Sequence, residues 1–230
     1  GDTRVGVRAS IALSELHYST KPGDIADHRR EAERAIREFE QLGDELGLAR
    51  AWDLLASLHH GQGQSAAAQE AWERSIEYAR RAGTPGALVE PLIAQGKLAE
   101  ARGDWDGAEA YFQEALDLAR AAGDAWGAAS ALLPLGSIAL SGGEPSRALP
   151  LLEESAERAS ESGDREVFSH ATATIARSLA ALGKLHDSRY KLRDAAAVAF
   201  EILNPLGDMF LLEAAAIWLA SVSSWSAAVE

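Results

Sequence analysis

An all-α fold, a right-handed solenoid of antiparallel helical hairpins, is what this sequence predicts, and three observations predict it. Glycines recur every 40 residues at Gly23, Gly63, Gly103, Gly143 and Gly183, with a second set half a period away at Gly43, Gly83, Gly123 and Gly163. A residue able to cap a helix follows each of the second set: Asp44, Thr84, Asp124 and Asp164, with Asn204 in the equivalent place after Leu203. Between these marks, small and apolar side chains return at helical spacing and in the same columns from copy to copy. A fixed period of this kind marks stacked repeats, each too small to bury its own hydrophobic face. About eleven helices of roughly 15–19 residues follow from a half-period of that length.

One repeat domain over residues 1–230 divides at 3–42, 44–82, 84–122, 124–162 and 164–202, with a partial copy at 204–230. The first copy is the least regular, as terminal repeats commonly are. Its first helix is expected near Arg4 to Ser19 and its second near Asp24 to Leu42, where Ala32, Ala35, Ile36 and Phe39 share a face. In the second copy Trp52, Leu55 and Ala56 mark one helix, and Ala68, Trp72, Ser75 and Ile76 the other. The third copy carries Leu92, Gly96 and Ala99, then Ala108, Phe112, Ala115 and Leu116 around the turn Arg102-Gly103-Asp104. The fourth carries Leu132, Leu135, Gly136 and Ala139, then Ala148, Leu152 and Ser155. The fifth carries Ile175, Ala176 and Leu179, then Leu192, Ala195 and Ala196.

Two columns of small residues have a physical reason. Ala56, Gly96, Gly136, Ala176 and Ala216 are answered twelve residues later by Ala68, Ala108, Ala148 and Ala228, so small is expected to face small where the paired helices cross. Pro134 lies in the middle of a helix and predicts irregularity between Leu132 and Gly136. Trp105 and Trp225 share a column beside the hairpin turn and are expected to brace it, whereas Trp126 has no core column and is expected at the surface.

Composition narrows the function. The formal net charge is −13, from 35 acidic and 22 basic residues, and the nearest basic cluster, His28-Arg29-Arg30, is flanked by acids. Direct nucleic-acid binding is therefore not expected. There is no cysteine, which excludes disulfides and thiolate zinc sites and fits a cytoplasmic setting. No apolar run reaches membrane-spanning length. His59 and His60 are adjacent and so point apart around a helix, and His17, His28, His170 and His186 are isolated. No metal, cofactor or catalytic constellation is predicted, and the chain reads as a non-enzyme.

The spacing Leu92-x2-Gln95-Gly96-x2-Ala99-x8-Ala108-x3-Phe112-x2-Ala115 resembles the tetratricopeptide repeat, stretched from that family's period to one of 40. The 40-residue variant is similar to the helical arrays that follow the ATPase module in bacterial signal-transducing ATPases and LuxR-type transcriptional regulators. The resemblance implies a protein–protein or ligand-sensing interaction domain, a fragment of such a regulator. A free-standing scaffold or peptide receptor is the alternative. No nucleotide-binding Gly-x4-Gly-Lys-Ser/Thr loop occurs in the chain.

By the same resemblance the first helix of each pair lines a concave groove. Position by position this gives Arg50, Asp53, Ser57 and His60 in the second copy, and Glu90, Ile93, Lys97 and Glu100 in the third. The fourth copy gives Leu133, Ser137 and Leu140, the fifth His170 and Arg177, and the sixth Phe210, Glu213 and Ile217. The expected occupant is a protein or peptide segment, or a small-molecule inducer, with Lys97 and Arg177 drawing anionic groups. The Lys/Asn clamp of chaperone-binding arrays is absent, because Asp53 and Ser57 stand in its place. Finally, Phe210, Leu211, Leu212, Ile217, Trp218 and Leu219 predict an apolar patch at the C-terminal helix, covered by a second copy in a homodimer or by a following segment.

Overall fold

The computed structural model describes residues 5–7, 11 and 25–202. Every element assigned among them is helical. Nine α-helices lie between Ile25 and Ile202: α1 Ile25–Leu42, α2 Glu45–Gly61, α3 Ser65–Arg81, α4 Val89–Ala101, α5 Trp105–Ala122, α6 Ala125–Ser141, α7 Pro145–Ser162, α8 Arg165–Ala181 and α9 Leu185–Ile202. A short 3-10 turn, Pro85–Leu88, precedes α4. Of the helix expected near Arg4 to Ser19, residues 5–7 and 11 are described and are helical. Asn204 and the whole sixth copy, including Phe210, Glu213, Ile217, Trp218 and Trp225, lie outside the described residues, and with them the expected C-terminal patch and homodimer. The contacts divide the chain into two compact units, residues 1–118 and 119–230.

Local chemistry sets the helix ends. Eight glycines spaced by twenty residues, from Gly43 to Gly183, adopt φ between 59° and 80°. A side chain in that left-handed region would strain the backbone, so glycine ends each helix cheaply. The next residue then donates its backbone N–H to a carbonyl five positions back, as from Asp44 to Phe39 (3.0 Å) and from Asp164 to Ala159 (2.9 Å). Asp44, Asp124 and Asp164 go on to cap the following helix, accepting from the N–H of Gly47 (3.1 Å), Gly127 (2.9 Å) and Val167 (3.0 Å). Asp104 does the same for Gly107 at 3.0 Å.

Thr84 departs from the expected cap. Its hydroxyl donates back to the Ala82 carbonyl at 3.4 Å, and no side-chain bond caps the segment after it. Pro85 opens a 3-10 turn there, and Pro91, which has no N–H to donate, lies in the first turn of α4. Asp124→Ala should therefore cost about 1 kcal/mol in urea unfolding while Thr84→Ala costs only a few tenths. Equal losses would refute this assignment of caps. Pro134 lies inside α6, which runs unbroken from Ala125 to Ser141, and the Ser137 hydroxyl donates to the Leu133 carbonyl at 3.0 Å beside it.

In the first unit, α1 and α2 close over Ala32, Ala35, Phe39, Leu48, Leu55 and Leu58, with Val7 and Ile11 packed among them. The α2–α3 hairpin buries Ala56, Ala68, Ala71 and Trp72, and Leu98 from α4 joins them. In the second unit α6, α7 and α8 bury Ala139, Ala148, Leu152, Ile175 and Leu179 together. The small-residue columns do more than set small against small, as Ala56 and Ala68 do in one buried cluster. A Cβ on Gly96 would meet the Phe112 ring at 2.6 Å, and one on Gly136 would meet Leu152 at 2.6 Å. Each glycine is a socket for the large side chain sixteen residues later, a knob-into-hole contact. Small does face small where Ser188, which the column leaves out, donates its hydroxyl to the Ala176 carbonyl at 2.7 Å.

Ion pairs repeat with the same period. Arg80 meets Glu114 at 2.8 Å in the first unit, and Arg120 meets Glu154 at 2.7 Å in the second. Two surface readings change. Ala196 is exposed and not part of the inner face. Trp105, expected to brace a turn, is 50% exposed; Trp126 is at the surface as expected.

Candidate interaction face

The first helix of each pair buries much of its length. On α4, in the first unit, residues Val89 to Ala99 are buried except Glu90, Ala94 and Lys97, which recur at i, i+4 and i+7. These three form one stripe along the helix. Glu100 lies half-buried beside it. Ile93, predicted to line the groove, is only 4% exposed and belongs to the core. An apolar side chain of that size gains about 1.5–3 kcal/mol by burial, so the helix turns it inward and Ala94 takes its place.

The charges of this stripe are poised. Desolvation pushes the Glu90 carboxyl above the usual carboxylate range although solvent reaches the residue, and the positive charge of Lys97 partly offsets this. Glu100 is raised for the same reason and offset by the same lysine. With two acids to one lysine, the stripe presents net negative charge, where Lys97 alone had pointed to anionic ligands.

On α2, also in the first unit, Arg50 and His60 are exposed while Asp53 and Ser57 are half-buried. Asp53 braces the hairpin. Its Oδ1 accepts from the Trp72 indole N–H at 3.0 Å, tying α2 to α3. The His60 ring lies 5.6 Å from Trp72, tilted against it. In the second unit Leu133, Ser137, Leu140, His170 and Arg177 are all half-buried on α6 and α8. The nearby hydroxyls turn back on their own helix, Thr174 donating to the His170 carbonyl at 2.9 Å and Ser178 to that of Thr174 at 3.0 Å. Phe210, Glu213 and Ile217 lie outside the described residues. Among the described residues no group of His, Asp or Glu is arranged to hold a metal ion, and no helix is long and apolar enough to cross a membrane.

A basic cluster on α9 escapes a linear reading of the sequence. Four of the 22 basic residues lie within residues 184–193. The acids Asp187 and Asp194 hide the cluster along the chain, and only the helix phase gathers Arg189 and Arg193 on one face.

The comparisons agree with this architecture. The tetratricopeptide repeat family matches residues 88–161. No curated protein matches the chain. Among solved structures, BtubC (BKLC) from P. vanneervenii superposes with a TM-score of 0.69 at 17% identity, covering 87% of this chain and 91% of that one. A putative kinesin light chain from Podosopora anserina with nearly identical TPR-like repeats gives 0.61 at 14%, covering 86% and 96%. Aspartyl phosphate phosphatase F from Bacillus subtilis gives 0.69 at 13%, covering 86% of this chain and 52% of that one. At these identities the likeness is one of fold, and the fold is a tetratricopeptide-like array of helical hairpins.

Proposed function

We propose that this chain is a protein-interaction array whose α4 stripe receives a basic side chain of an extended partner segment. Tetratricopeptide repeats generally mediate protein–protein interaction. Support comes from one observation above all: Glu90 and Lys97 are the charged positions left open on a helix otherwise buried, with a carboxylate whose charge is poorly solvated. A cationic partner group would replace the lost hydration and stabilise that charge. Arg50, Ser57 and His60 on α2 extend the same reading within the first unit, and Leu133, Ser137, His170 and Arg177 offer a second face in the other. The larger setting we infer is a cytoplasmic bacterial signalling or transcriptional regulator in which the array is the sensing arm. Support for that rests on the 40-residue period and on no named neighbour.

The sign of the pH dependence follows from the raised carboxyl. The folded chain holds the Glu90 proton more tightly than the unfolded chain does. Its contribution to stability is thus greatest below the ordinary carboxylate range and falls as pH rises through the raised pKa. Binding of an arginine- or lysine-bearing peptide runs the other way and strengthens over that same interval, as the carboxylate forms. Thermal-shift titration with such peptides should show binding that weakens about tenfold in Glu90→Gln with Glu100→Gln, together with loss of the pH dependence. Unchanged affinity in that double variant would move the site elsewhere.

A further inference from the structure

The outer face of α9 differs in kind from those of α3, α5 and α7. His186, Arg189, Tyr190 and Arg193 recur at i, i+3, i+4 and i+7 and form one stripe, while Ser188, Ala195 and Ala199 are buried on the other side. The 40-residue register supplies internal comparisons. The same positions are Ala66, Gln69, Glu70 and Glu73 on α3, and Asp106, Glu109, Ala110 and Gln113 on α5. On α7 they are Ser146, Leu149, Pro150 and Glu153. On α1 they are Ala26, Arg29, Arg30 and Glu33, and there the arginines pair with Glu33 and Asp27. The stripes of α3, α5 and α7 are acidic or nearly neutral; that of α9 is cationic and aromatic, in a chain of net charge −13.

The stripe is also organised. Tyr190 is 49% exposed, an unusual place for so large a ring to be left. The guanidinium carbon of Arg193 stands 5.1 Å from the centre of the Tyr190 ring, and the His186 ring meets it edge-on at 4.8 Å. Arg193 lies 3.7 Å from the Asp194 carboxylate, a loose pair, and Arg189 has no ion-pair partner among the described residues. These four side chains line a concavity of about 460 Å³, within the roughly 300–1,000 Å³ typical of ligand sites.

We propose that this stripe is a second docking site, separate from the inner helix face, for a short acidic segment of a partner protein. Its two arginines supply the countercharge, and Tyr190 holds one of them in place. Asp187 and Asp194, seven residues apart, border the stripe along one flank, so a long polyanion such as nucleic acid would meet repulsion there. The positive charge of the stripe is complementary to the carboxylates that a short acidic segment would bring.

The test is fluorescence anisotropy of a labelled oligoglutamate peptide with the full chain, at low and high salt. Binding should weaken as salt rises and fall by about tenfold or more in Arg189→Glu with Arg193→Glu. Tyr190→Phe should retain binding and Tyr190→Ala lose most of it. Arg189→Gln with Arg193→Gln gives the same readout without adding acids, and circular-dichroism melting checks that each variant is folded. Lys97→Glu, on the inner face, should leave oligoglutamate binding unchanged, which separates this site from the α4 stripe. The proposal is overturned by absence of oligoglutamate binding at low salt or by equal affinity of the double reversal. It is equally overturned by tighter binding of oligothymidylate, or by a double reversal that alters only self-association in sedimentation.

Discussion

Phe112→Ala should lower the unfolding free energy by about 3–5 kcal/mol and Gly96→Leu by about 1–3 kcal/mol. The two costs have opposite origins at one contact. Phe112 is fully buried, and truncating it leaves a cavity that the α4–α5 hairpin cannot collapse to fill. Gly96 is the socket for that ring: any Cβ there stands 2.6 Å from a Phe112 ring carbon, well inside contact distance. Leucine must displace the ring or part the helices. Because both changes act on one space, the double variant Gly96→Leu with Phe112→Ala should be less damaged than the sum, with the new leucine entering the vacated volume. Ala110→Leu, on the exposed side of α5, should change stability by no more than about 0.5 kcal/mol. Urea unfolding of the four variants reads all of this. Strict additivity, or an Ala110→Leu as harmful as Gly96→Leu, would show that the register drawn for α4 against α5 is wrong.

Trp72→Ala is the second large effect, about 3–5 kcal/mol, for a side chain 4% exposed between α2 and α3. Its indole N–H reaches the Asp53 carboxylate at 3.0 Å, so Asp53→Ala should cost about 1–3 kcal/mol by leaving that donor unmet. Asp53→Asn keeps an oxygen in the same place and should recover most of the loss. This ordering separates two roles for a residue predicted to line the groove. Stability losses of that size, rescued by asparagine, mark Asp53 as a brace of the hairpin. Unchanged stability in Asp53→Ala would instead leave Asp53 free to serve a partner.

Much of this architecture is legible one residue at a time because its causes are local. A turn that needs positive φ selects glycine, and an aspartate two residues from the end of one helix satisfies the first N–H groups of the next. Asp44, Asp124 and Asp164 need no distant partner to do so. The columns of Leu92, Phe112, Leu132 and Leu152 follow from the helical repeat alone, since a residue every three or four positions must share a face. Thr84 shows the limit of that reasoning: it occupies the right place, but Pro85 and Pro91 change the backbone that follows, and its hydroxyl turns back to Ala82.

The groove was less legible. A position transferred by period assumes the same helix phase in every copy, and the α4 segment, entered through a 3-10 turn, buries Ile93 and opens Ala94. The desolvation of Glu90 and Glu100 depends on how much protein surrounds each carboxyl, which no spacing encodes. Likewise the cationic stripe on α9 exists only once the helix brings His186, Arg189, Tyr190 and Arg193 onto one face.

By itself the sequence determined an all-helical array of hairpins with its turns at the spaced glycines, most of its caps and the identity of its core columns. Those features depend on backbone conformation and periodicity, which neighbouring residues impose on one another. Only the tertiary structure decided what each column faces: that Gly96 and Gly136 receive Phe112 and Leu152, that Asp53 holds Trp72, and that Ile93 turns inward. Those outcomes depend on the volume and polarity brought up by a different helix sixteen or more residues away, and close packing settles them only when both helices are in place.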